Sequence, residues 1–461
     1  MNYQALLANG TDDPVITGLV GVGEFGLTLL AQSRHIDALS LRVLCDQAPD
    51  RVRRAAIELG WPEDQVIFAA ARAAALAAIE RGALVVTDDW AVAADLPLDV
   101  LVEATGDAET GARSASSAIC NGMHVVLVTK ETDAVIGPLL SARARAAGRV
   151  LAQVDGDQPS LTMGLVSWAR ALGLEVSCAG KASEYDFVLD MSAGQITADG
   201  TTVKIGDAGN LWAGSASALT ARIADRAAAC VALAQRTTPD YCEMCLVANG
   251  TGLKPDVPEM HAAIARTVEL PDLLRPREAG GVLGGHHRLD VFNCLRRPDE
   301  ISFAGGVFVV AALPDRKTGA LLAEKGIPVS DDRDYALIYN PTHLLGVEAP
   351  MSILSAARLQ RSTGSDDVQC VCDVVGQATR DLPAGTTLNE GKRHRIDGIE
   401  ARLVDYSATG PGRPVPLFMV AGRRLTRDVA AGELLSYDAF AAPAESTLWQ
   451  LRAEQDAAFA I

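Results

Sequence analysis

The stretch TGLVGVGEFGLTLL (residues 17–30) decides the fold, because it runs from an apolar strand through three glycines into an apolar helix. The glycines match the pattern G-x-G-x-x-G of a dinucleotide-binding loop. The first would allow a tight turn, the second would leave room for a pyrophosphate, and the third would let the helix pack closely on the sheet. Free N–H groups at the start of the helix would face that anion. The predicted cofactor-binding loop comprises Gly21, Gly23, Glu24, Phe25 and Gly26.

An acidic residue follows the loop at the position where ribose would be bound. Asp46 ends the apolar run LRVLCD (41–46), 20 residues after Gly26. A carboxylate at this place accepts hydrogen bonds from ribose hydroxyls and repels a 2′-phosphate, which favours NAD over NADP. Arg51 lies just downstream and could bind that phosphate instead. The sequence therefore favours NAD and leaves NADP open.

Apolar strands alternate with alanine-rich helices over residues 1–155. Strands that are apolar throughout and separated by helices pair in parallel and are covered on both faces. The chain is therefore predicted to begin with a Rossmann domain, an α/β fold with a doubly wound parallel sheet. Thr105, Gly106 and Lys130 end two of its strands, DVLVEATG (99–106) and HVVLVTK (124–130), at the edge where a nicotinamide would lie.

The regular alternation stops after the first domain. Residues 156–362 are predicted to form an α+β catalytic and oligomerisation domain. Its clearest elements are a strand at 301–313 and a helix at 343–361.

A third domain is predicted from short strands and turns at 368–440. The phrases RDLPAGTTL (380–388) and RDVAAGELL (427–435) repeat the same pattern of an Arg-Asp strand, an Ala-Gly turn and a second strand. This repeat predicts two pseudo-symmetric halves. Residues 441–461 are predicted to form a terminal helical tail.

Composition excludes several classes of function. The 461 residues carry a net charge of −17, which argues against a nucleic-acid-binding protein and against binding to an anionic membrane surface. The first residues show no signal-peptide pattern, and no apolar run reaches the length needed to span a bilayer. Nine cysteines without a disulfide framework are typical of a reducing compartment. We therefore expect a cytoplasmic protein that binds a small molecule.

The first domain resembles the NAD(P)-binding domain of the homoserine dehydrogenase family, through VGVGEFG, DVLVEATG and GMHVVLVTKETD. In that family the strand equivalent to HVVLVTK ends in a lysine that lines the active site, and the resemblance gives this role to Lys130. The family signature Asp-x-Gly-x-Asp followed by lysine is not found in this chain. Homoserine itself is therefore not the expected substrate.

A closer resemblance is to a subgroup that joins a homoserine-dehydrogenase-like core to a C-terminal SAF domain, a small β-clip module. It rests on GDQPSL (156–161), AGKAS (179–183), YNPTHL (339–344) and the two RD-x-x-AG phrases. One enzyme type in this subgroup resembles a 1-deoxy-D-xylulose 5-phosphate reductoisomerase, and others are called oxidoreductases. The resemblance also implies a homodimer or homotetramer, because the central domain of the family supplies a sheet interface.

Hydride transfer to a carbonyl needs a proton donor beside the reacting oxygen, and a lysine with a lowered pKa can serve. Lys130 is predicted to polarise or protonate that oxygen. Each other candidate also has a structural interpretation, as an exposed lysine, a helix cap or a histidine satisfied by backbone. The candidate catalytic residues are Lys130, Lys181, Lys204, Asp157 and His343.

A metal is the weaker interpretation of two further motifs. HHRLD (286–290) has adjacent histidines without clear further ligands, and the CxxC at 242–245 has no second pair. No metal site is predicted, although Asp157 could bind a divalent cation.

Three functions remain open on the sequence. The first is an NAD(P)-dependent dehydrogenase of a small anionic hydroxy or keto substrate, such as a polyol, a sugar acid or a sugar phosphate. The second is a reductoisomerase of isoprenoid precursor synthesis, like the 1-deoxy-D-xylulose 5-phosphate enzyme, in which a carbon shift precedes reduction. The third is a non-enzymatic nucleotide sensor whose SAF domain binds a carbohydrate or a partner.

Overall fold

A seven-stranded parallel sheet forms the first domain of the computed structural model, which describes residues 2–8, 13–206 and 208–459. Its strands are β1 (Val15–Val20), β2 (Leu39–Cys45), β3 (Val66–Phe68), β4 (Leu84–Thr87), β5 (Val100–Glu103), β6 (His124–Leu127) and β7 (Leu151–Gln153). The strand order is β3-β4-β2-β1-β5-β6-β7, and every pair is parallel. The predicted Rossmann-type sheet is confirmed. The order reverses between β1 and β5, and ligands of such sheets bind in the crevice at that switch point.

Helices cover both faces of this sheet. They are α1 (Tyr3–Ala8), α2 (Glu24–Ser33), α3 (Pro49–Glu58), α4 (Arg72–Glu80), α5 (Trp90–Ala94), α6 (Ala108–Cys120) and α7 (Lys130–Ala146). Every residue of β4, β5 and β6 is buried as a result. The short strand β3 and the short helix α5 did not emerge from the sequence pattern, because both are too brief to show a period.

The second domain is a mixed sheet of nine strands with helices packed on it. The strands are β8 (Glu175–Ala182), β9 (Phe187–Asp190), β10 (Gln195–Ala198), β11 (Thr201–Lys204), β12 (Lys254–Pro255), β13 (Ala263–Ala265), β14 (Arg288–Arg296), β15 (Val307–Ala312) and β16 (Tyr335–Asn340). The main path is β11-β10-β9-β14-β8-β15-β16, with β12 and β13 also paired to β14.

The helices of this domain are α8 (Gln158–Ala171), α9 (Ala208–Trp212), α10 (Leu219–Ala229), α11 (Thr238–Thr251), α12 (Leu270–Leu273), α13 (Arg316–Glu324) and α14 (Ala349–Leu354). Two of them, α11 and α14, also contact the first domain. Helix α11 packs on α7 of the first domain as well as on α8. This contact joins the second domain to the first.

Two predicted elements are shorter than the sequence suggested. The strand predicted at 301–313 begins at Val307, because Gly305 turns the chain with φ +73°. The helix predicted at 343–361 breaks into a 3-10 turn (Leu345–Val347), α14 and a π turn (Ser355–Leu359). Gly346 packs so closely on α2 that an added Cβ would lie 2.3 Å from the carbonyl oxygen of Phe25. This packing requires an irregular backbone at that point.

The third domain is small and contains an internal two-fold repeat. It is built around the antiparallel strands β17 (Cys372–Ala378) and β18 (Ile399–Asp405), with the short helix α15 (Leu417–Val420). The two RD-x-x-AG phrases pair with each other through reciprocal bonds. Asp381 accepts a hydrogen bond from the N–H of Ala431, and Asp428 accepts one from the N–H of Ala384, at 2.9 and 2.7 Å.

The tail contains helix α16 (Thr447–Ala458), which packs on α6 and α7 of the first domain. A buried ion pair between Arg452 and Asp373 ties this helix to the third domain, with N–O distances of 2.6 and 2.7 Å. The third domain therefore lies against the first domain. None of the helices among the described residues is long and apolar enough to cross a membrane.

Candidate active site

The three glycines of the loop lie in different surroundings. Gly21 has φ +91°, and an added Cβ would lie 2.3 Å from the carbonyl oxygen of Ala104, so only glycine fits. Gly26 packs on the loop, since a Cβ there would lie 2.6 Å from the oxygen of Gly21. A Cβ at Gly23 would meet nothing within 4 Å. Gly23 therefore borders open space at the first turn of α2, where backbone N–H groups favour an anion.

Asp46 is fixed at the end of β2, beside the loop. Its carboxylate accepts hydrogen bonds from the backbone N–H of Val22 and Ala48 at 3.0 and 2.9 Å, and from Arg51 at 2.9 Å. Burial alone would raise the pKa of Asp46, but these bonds outweigh it and lower the pKa. The carboxylate is therefore ionised at neutral pH, and Arg51 stands next to it with 44% of its side chain exposed.

The turn after β5 lies beside the start of α7. Gly106 donates its N–H to the hydroxyl of Thr129 at 3.0 Å, which joins the ends of β5 and β6. This places Thr105 and Gly106 next to Lys130, at the carboxyl edge of the sheet. Lys130 itself begins α7; the prediction that it ends the strand is wrong, because β6 stops at Leu127.

Lys130 belongs to a buried network of charges. Its Nζ lies 2.7 Å from Glu243 on α11 and 3.1 Å from Asp157, which begins α8. Asp157 also caps α8 by accepting from the N–H of Gln158, as its structural interpretation predicts. The Lys130 side chain is 24% exposed, whereas Glu243 is 1% exposed. Lys130 is therefore the end of the network that a ligand can reach.

Lys181 forms the inner end of the same network. It lies on β8 with its side chain fully buried, contacts Glu243, and is 3.2 Å from Asp240. Asp240 in turn accepts hydrogen bonds from the hydroxyls of Ser183 and Thr237 at 3.0 and 2.7 Å. Glu243 thus bridges the two ammonium groups. A buried charge is tolerated only when it is paired in this way.

The network sets the protonation of both lysines. Burial alone would lower the pKa of Lys130, but the carboxylates of Asp157 and Glu243 outweigh it and hold the pKa well above its usual value. The pKa of Lys181 is raised for the same reason by Glu243 and Asp240. For Glu243, burial opposes the ammonium groups, which win and lower its pKa. The expectation of a lysine with a lowered pKa is therefore wrong for Lys130, which is a protonated donor.

Of the other predicted catalytic residues, His343 lies close to the network of Lys130, Glu243 and Lys181, and Lys204 does not. His343 is half-buried, and an added Cβ at Gly305 would lie 2.6 Å from its ring and 3.3 Å from the side-chain amide of Gln158. His343 is therefore near the start of α8. Lys204 is exposed on the outer strand β11, which is separated from β8 by three other strands, or roughly 19 Å at the usual spacing. The structure does not bring Lys204 to the network.

Sequence reasoning missed Asp240 and Glu243, although a signal for them existed. Both lie on α11, whose sequence TPDYCEMCLVANGT is otherwise apolar and whose residues 240–249 are all buried. Two acids three residues apart on such a helix need buried cationic partners. The neighbouring Cys242 and Cys245, singled out as a CxxC, are buried free thiols instead.

A second missed group is Glu103, the last residue of β5. It is fully buried, and one carboxyl oxygen accepts from the N–H and the hydroxyl of Thr105 at 3.0 and 2.5 Å. Burial raises the pKa of Glu103 to about 7. This acid lies directly beneath the Thr105–Gly106 turn.

The raised pKa of Glu103 predicts a pH dependence of stability. The folded protein binds this proton more tightly than the unfolded chain, so stability is highest below the ordinary pKa of 4.5 and falls as the pH rises to about 7. Replacing Glu103 by glutamine should remove this fall and raise the free energy of unfolding at pH 8 by roughly 2–3 kcal/mol. Urea unfolding at pH 5 and pH 8 measures the free energy of unfolding of both proteins. The exposed Glu58→Gln is the control, and an unchanged pH slope in Glu103→Gln would refute the assignment.

The residues of the HHRLD motif (286–290) have other partners in the fold. Asp290 is used in a hydrogen bond with His261 at 2.6 Å, and His286 stacks on Tyr335. Within the described residues, no group of three or more histidine, cysteine or acidic side chains could hold a metal ion.

The α/β fold with its doubly wound parallel sheet is one that many dinucleotide-binding enzymes have. Residues 156–349, the second domain, match the family described as the oxidoreductase DRL catalytic domain. This match covers less than half of the chain. Among curated proteins, no sequence matches the chain at a significant level.

Solved structures share parts of the fold at low identity. A 1-deoxy-D-xylulose 5-phosphate reductoisomerase from Zymomonas mobilis in complex with NADPH is 19% identical over 38% of this chain and 47% of its own, with a TM-score of 0.28. Biliverdin reductase from Synechocystis is 21% identical over 38% and 48%, with a TM-score of 0.25. The yvaA protein of Bacillus subtilis, described as an oxidoreductase, is 12% identical over 77% and 92%, with a TM-score of 0.37. The chain thus spans about half the length of the reductoisomerases that it matches.

Proposed function

We propose that the protein is an oxidoreductase that transfers a hydride between a nicotinamide cofactor and a small polar, anionic hydroxy or keto substrate. Polyols, sugar acids and sugar phosphates make up the proposed substrate class. One observation carries the proposal: the Lys130–Glu243–Lys181 network opens through Lys130 at the same edge of the sheet as the glycine loop. A proton donor and a dinucleotide cradle therefore border one crevice.

Lys130 suits the role of the proton donor to the reacting oxygen. It is an ammonium group at neutral pH, and an oxygen that gains charge during reduction is stabilised by such a donor. Asp157 and Glu243 fix the direction of its side chain, and Lys181 fixes Glu243 from the other side. Such preorganisation leaves little rearrangement for the moment of reaction.

The residues present fit a nicotinamide dinucleotide. Gly21, Gly23 and the first turn of α2 would hold the pyrophosphate, and Asp46 would hold the adenosine ribose. Thr105 and Gly106 would border the nicotinamide. When bound, the cofactor would supply or accept the hydride. The neighbour from Zymomonas mobilis binds NADPH and that from Synechocystis binds NADP+, which supports this class of cofactor.

Adding a methyl group at Gly23 should separate binding from folding. Because a Cβ there meets nothing within 4 Å, Gly23→Ala should fold normally. The methyl group would nevertheless occupy the space proposed for the pyrophosphate and weaken NADPH binding by about tenfold or more, or ~1.4 kcal/mol. Calorimetric titration measures the affinity. The control is Gly164→Ala on α8, where a Cβ also meets nothing, and equal affinities in both variants would contradict the proposed site.

The preference between NAD and NADP is proposed to depend on Asp46. Replacing Asp46 by alanine removes the charge that repels a 2′-phosphate and leaves Arg51 free to bind it. We expect the ratio of the NADH and NADPH affinities to shift toward NADPH by about tenfold, or ~1.4 kcal/mol. Titration with each cofactor measures the ratio. A ratio that stays unchanged would remove Asp46 from the account of selectivity.

We also propose the assignment that the sequence resemblance implies. The protein is then a homoserine-dehydrogenase-like enzyme, its third domain is a SAF module, and it assembles as a homodimer or homotetramer. The match of the second domain to an oxidoreductase catalytic domain supports an enzyme over a nucleotide sensor. A 1-deoxy-D-xylulose 5-phosphate reductoisomerase activity is the second candidate, supported by the sequence resemblance of this subgroup.

A substrate panel tests the proposed function. Polyols, hydroxy acids and sugar phosphates are scanned by the absorbance of NADH and NADPH, with and without Mg²⁺. Turnover of one anionic polyol or sugar acid is the expected result. A phosphosugar that reacts only with Mg²⁺ would favour the reductoisomerase. Tight cofactor binding with no turnover in either direction would favour the sensor.

A further inference from the structure

The third domain carries a short hairpin in which none of residues 391–395 is buried. Residues 390–396, the tip loop, are closed by pairing of Glu390 with Ile396 and by a hydrogen bond from the N–H of Gly391 to the carbonyl of Arg395 at 2.8 Å. Arg393 and His394 at its end have φ +56° and +57°. Non-glycine residues hold this left-handed conformation only where the surroundings fix them, and such strain is frequent at functional sites.

The tip loop is held by contacts to both other domains. The Nε2 of His394 lies 2.8 Å from the carboxylate of Glu131 in the first domain. Arg393 donates to Asp199 of the second domain at 3.1 Å and lies over the ring of Tyr185 at 4.5 Å. The loop also packs against α11, the helix that carries Glu243. It therefore spans the first two domains next to the Lys130 network.

A cavity of about 180 Å³ lies at this junction. Gly106, Asp107 and Glu131 line it from the first domain, and His394 and Phe418 line it from the third. Gly106 belongs to the turn that would border the nicotinamide. The third domain thus supplies one wall at the reactive end of the crevice.

Glu131 is the neighbour of Lys130 in the first turn of α7, and no side-chain cap from the preceding residue holds that turn. The side chain of Thr129, the residue before the helix, does not cap it and accepts from Gly106 instead. Glu131 is 7% exposed, so its carboxylate depends on the bond to His394. Burial alone would lower the pKa of His394, but Glu131 and Glu390 outweigh it and raise the pKa to about 9. His394 is therefore a cation between two carboxylates at neutral pH.

We infer that His394 is a positioning residue of the active site: by holding Glu131 it fixes the first turn of α7, and with it the placement of Lys130 against Asp157 and Glu243. The third domain is then an integral part of the catalytic unit. This inference rests on the proposed role of Lys130 in hydride-transfer chemistry. It gives the third domain a task that neither the sequence repeat nor the family resemblance assigns.

The reactivity of Lys130 tests this inference without cofactor or substrate. Full-length wild type and variants are treated with formaldehyde and cyanoborohydride, and methylation of each lysine is followed by mass spectrometry. His394→Ala removes the hydrogen bond between His394 and Glu131, so the first turn of α7 is held less firmly. The methylation rate of Lys130 should then rise about tenfold, the scale expected for the loss of a hydrogen bond between charged groups. Lys181 should stay unmethylated, which reports an intact core. His394→Gln keeps a donor toward Glu131 and should restore most of the protection.

Two further variants complete the test. Glu131→Ala removes the acceptor of the pair and should expose Lys130 as His394→Ala does. Arg380→Ala breaks an exposed ion pair with Asp397 in the same domain and should leave Lys130 unchanged. Equal methylation of Lys130 in wild type, His394→Ala and Glu131→Ala would overturn the inference. Failure of the proposed function would show separately, as a wild-type protein that binds neither NADH nor NADPH.

Discussion

Replacing Lys130 by methionine is expected to lower turnover by roughly 10²–10⁴-fold, the usual contribution of a positioned proton donor. Methionine keeps most of the length of the side chain but cannot donate a proton. The pyrophosphate and ribose contacts are remote from position 130, so NADPH should bind with an affinity within about threefold of wild type. Steady-state kinetics with the substrate found in the panel measures turnover, and calorimetry measures cofactor binding.

The matched control for this variant is Lys204→Met. Lys204 was a candidate on the sequence, but the structure places it on the exposed outer strand β11. Its replacement should leave both turnover and cofactor affinity unchanged. A Lys130→Met enzyme with wild-type turnover would remove Lys130 from the chemistry, and a slow Lys204→Met enzyme would show that the network is not the whole site.

Replacing Lys181 by methionine is expected to cause a large loss of stability. The variant leaves Asp240 and Glu243, each 1% exposed, without the ammonium group that lies between them. Breaking a buried ion pair by removing one partner costs about 3–5 kcal/mol of the free energy of unfolding. Urea unfolding at pH 7 measures this loss. Lys254→Met is the control, since its pair with Asp405 is exposed and such pairs contribute about 0–1 kcal/mol.

The sign of the pH effect provides a second check on Lys181. In the wild type the lowered pKa of Glu243 contributes stability above its unfolded pKa, and this contribution is lost as the pH falls through the folded pKa. Without Lys181 the carboxylates bind protons more readily, so the deficit relative to wild type should shrink between pH 7 and pH 5. A deficit that is constant with pH would mean that packing, and not charge, accounts for the loss. A loss no larger than that of Lys254→Met would contradict the buried network.

The parts of the candidate site that are formed by residues close together in the sequence were predictable from the sequence. The glycine loop, Asp46 and the Thr105–Gly106 turn follow from local strand, turn and helix patterns, and the parallel sheet aligns their ends. Lys130 and Asp157 could be placed at the same edge for the same reason. The resemblance to homoserine dehydrogenases strengthened only the case for Lys130.

The rest of the site depends on packing between distant segments. Lys130 and Glu243 are 113 positions apart, and they meet because α11 packs on α7. No local pattern encodes that contact, nor the docking of His394 on Glu131 across two domains. Without these partners the sequence could not show that Lys130 has a raised pKa. Lys204 illustrates the converse, because a lysine at the end of a short strand looks the same in sequence whether it faces a cleft or solvent.

A crystal structure of the complex with NADPH tests the central claim most directly, through the distance between the nicotinamide C4 and the Nζ of Lys130. We predict that the pyrophosphate lies over Gly23 and that this distance is within roughly 6 Å, since a carbonyl group must fit between hydride and proton donor. A nicotinamide ring placed beyond about 10 Å from Lys130, with the protein otherwise unchanged, would exceed that reach and contradict the account.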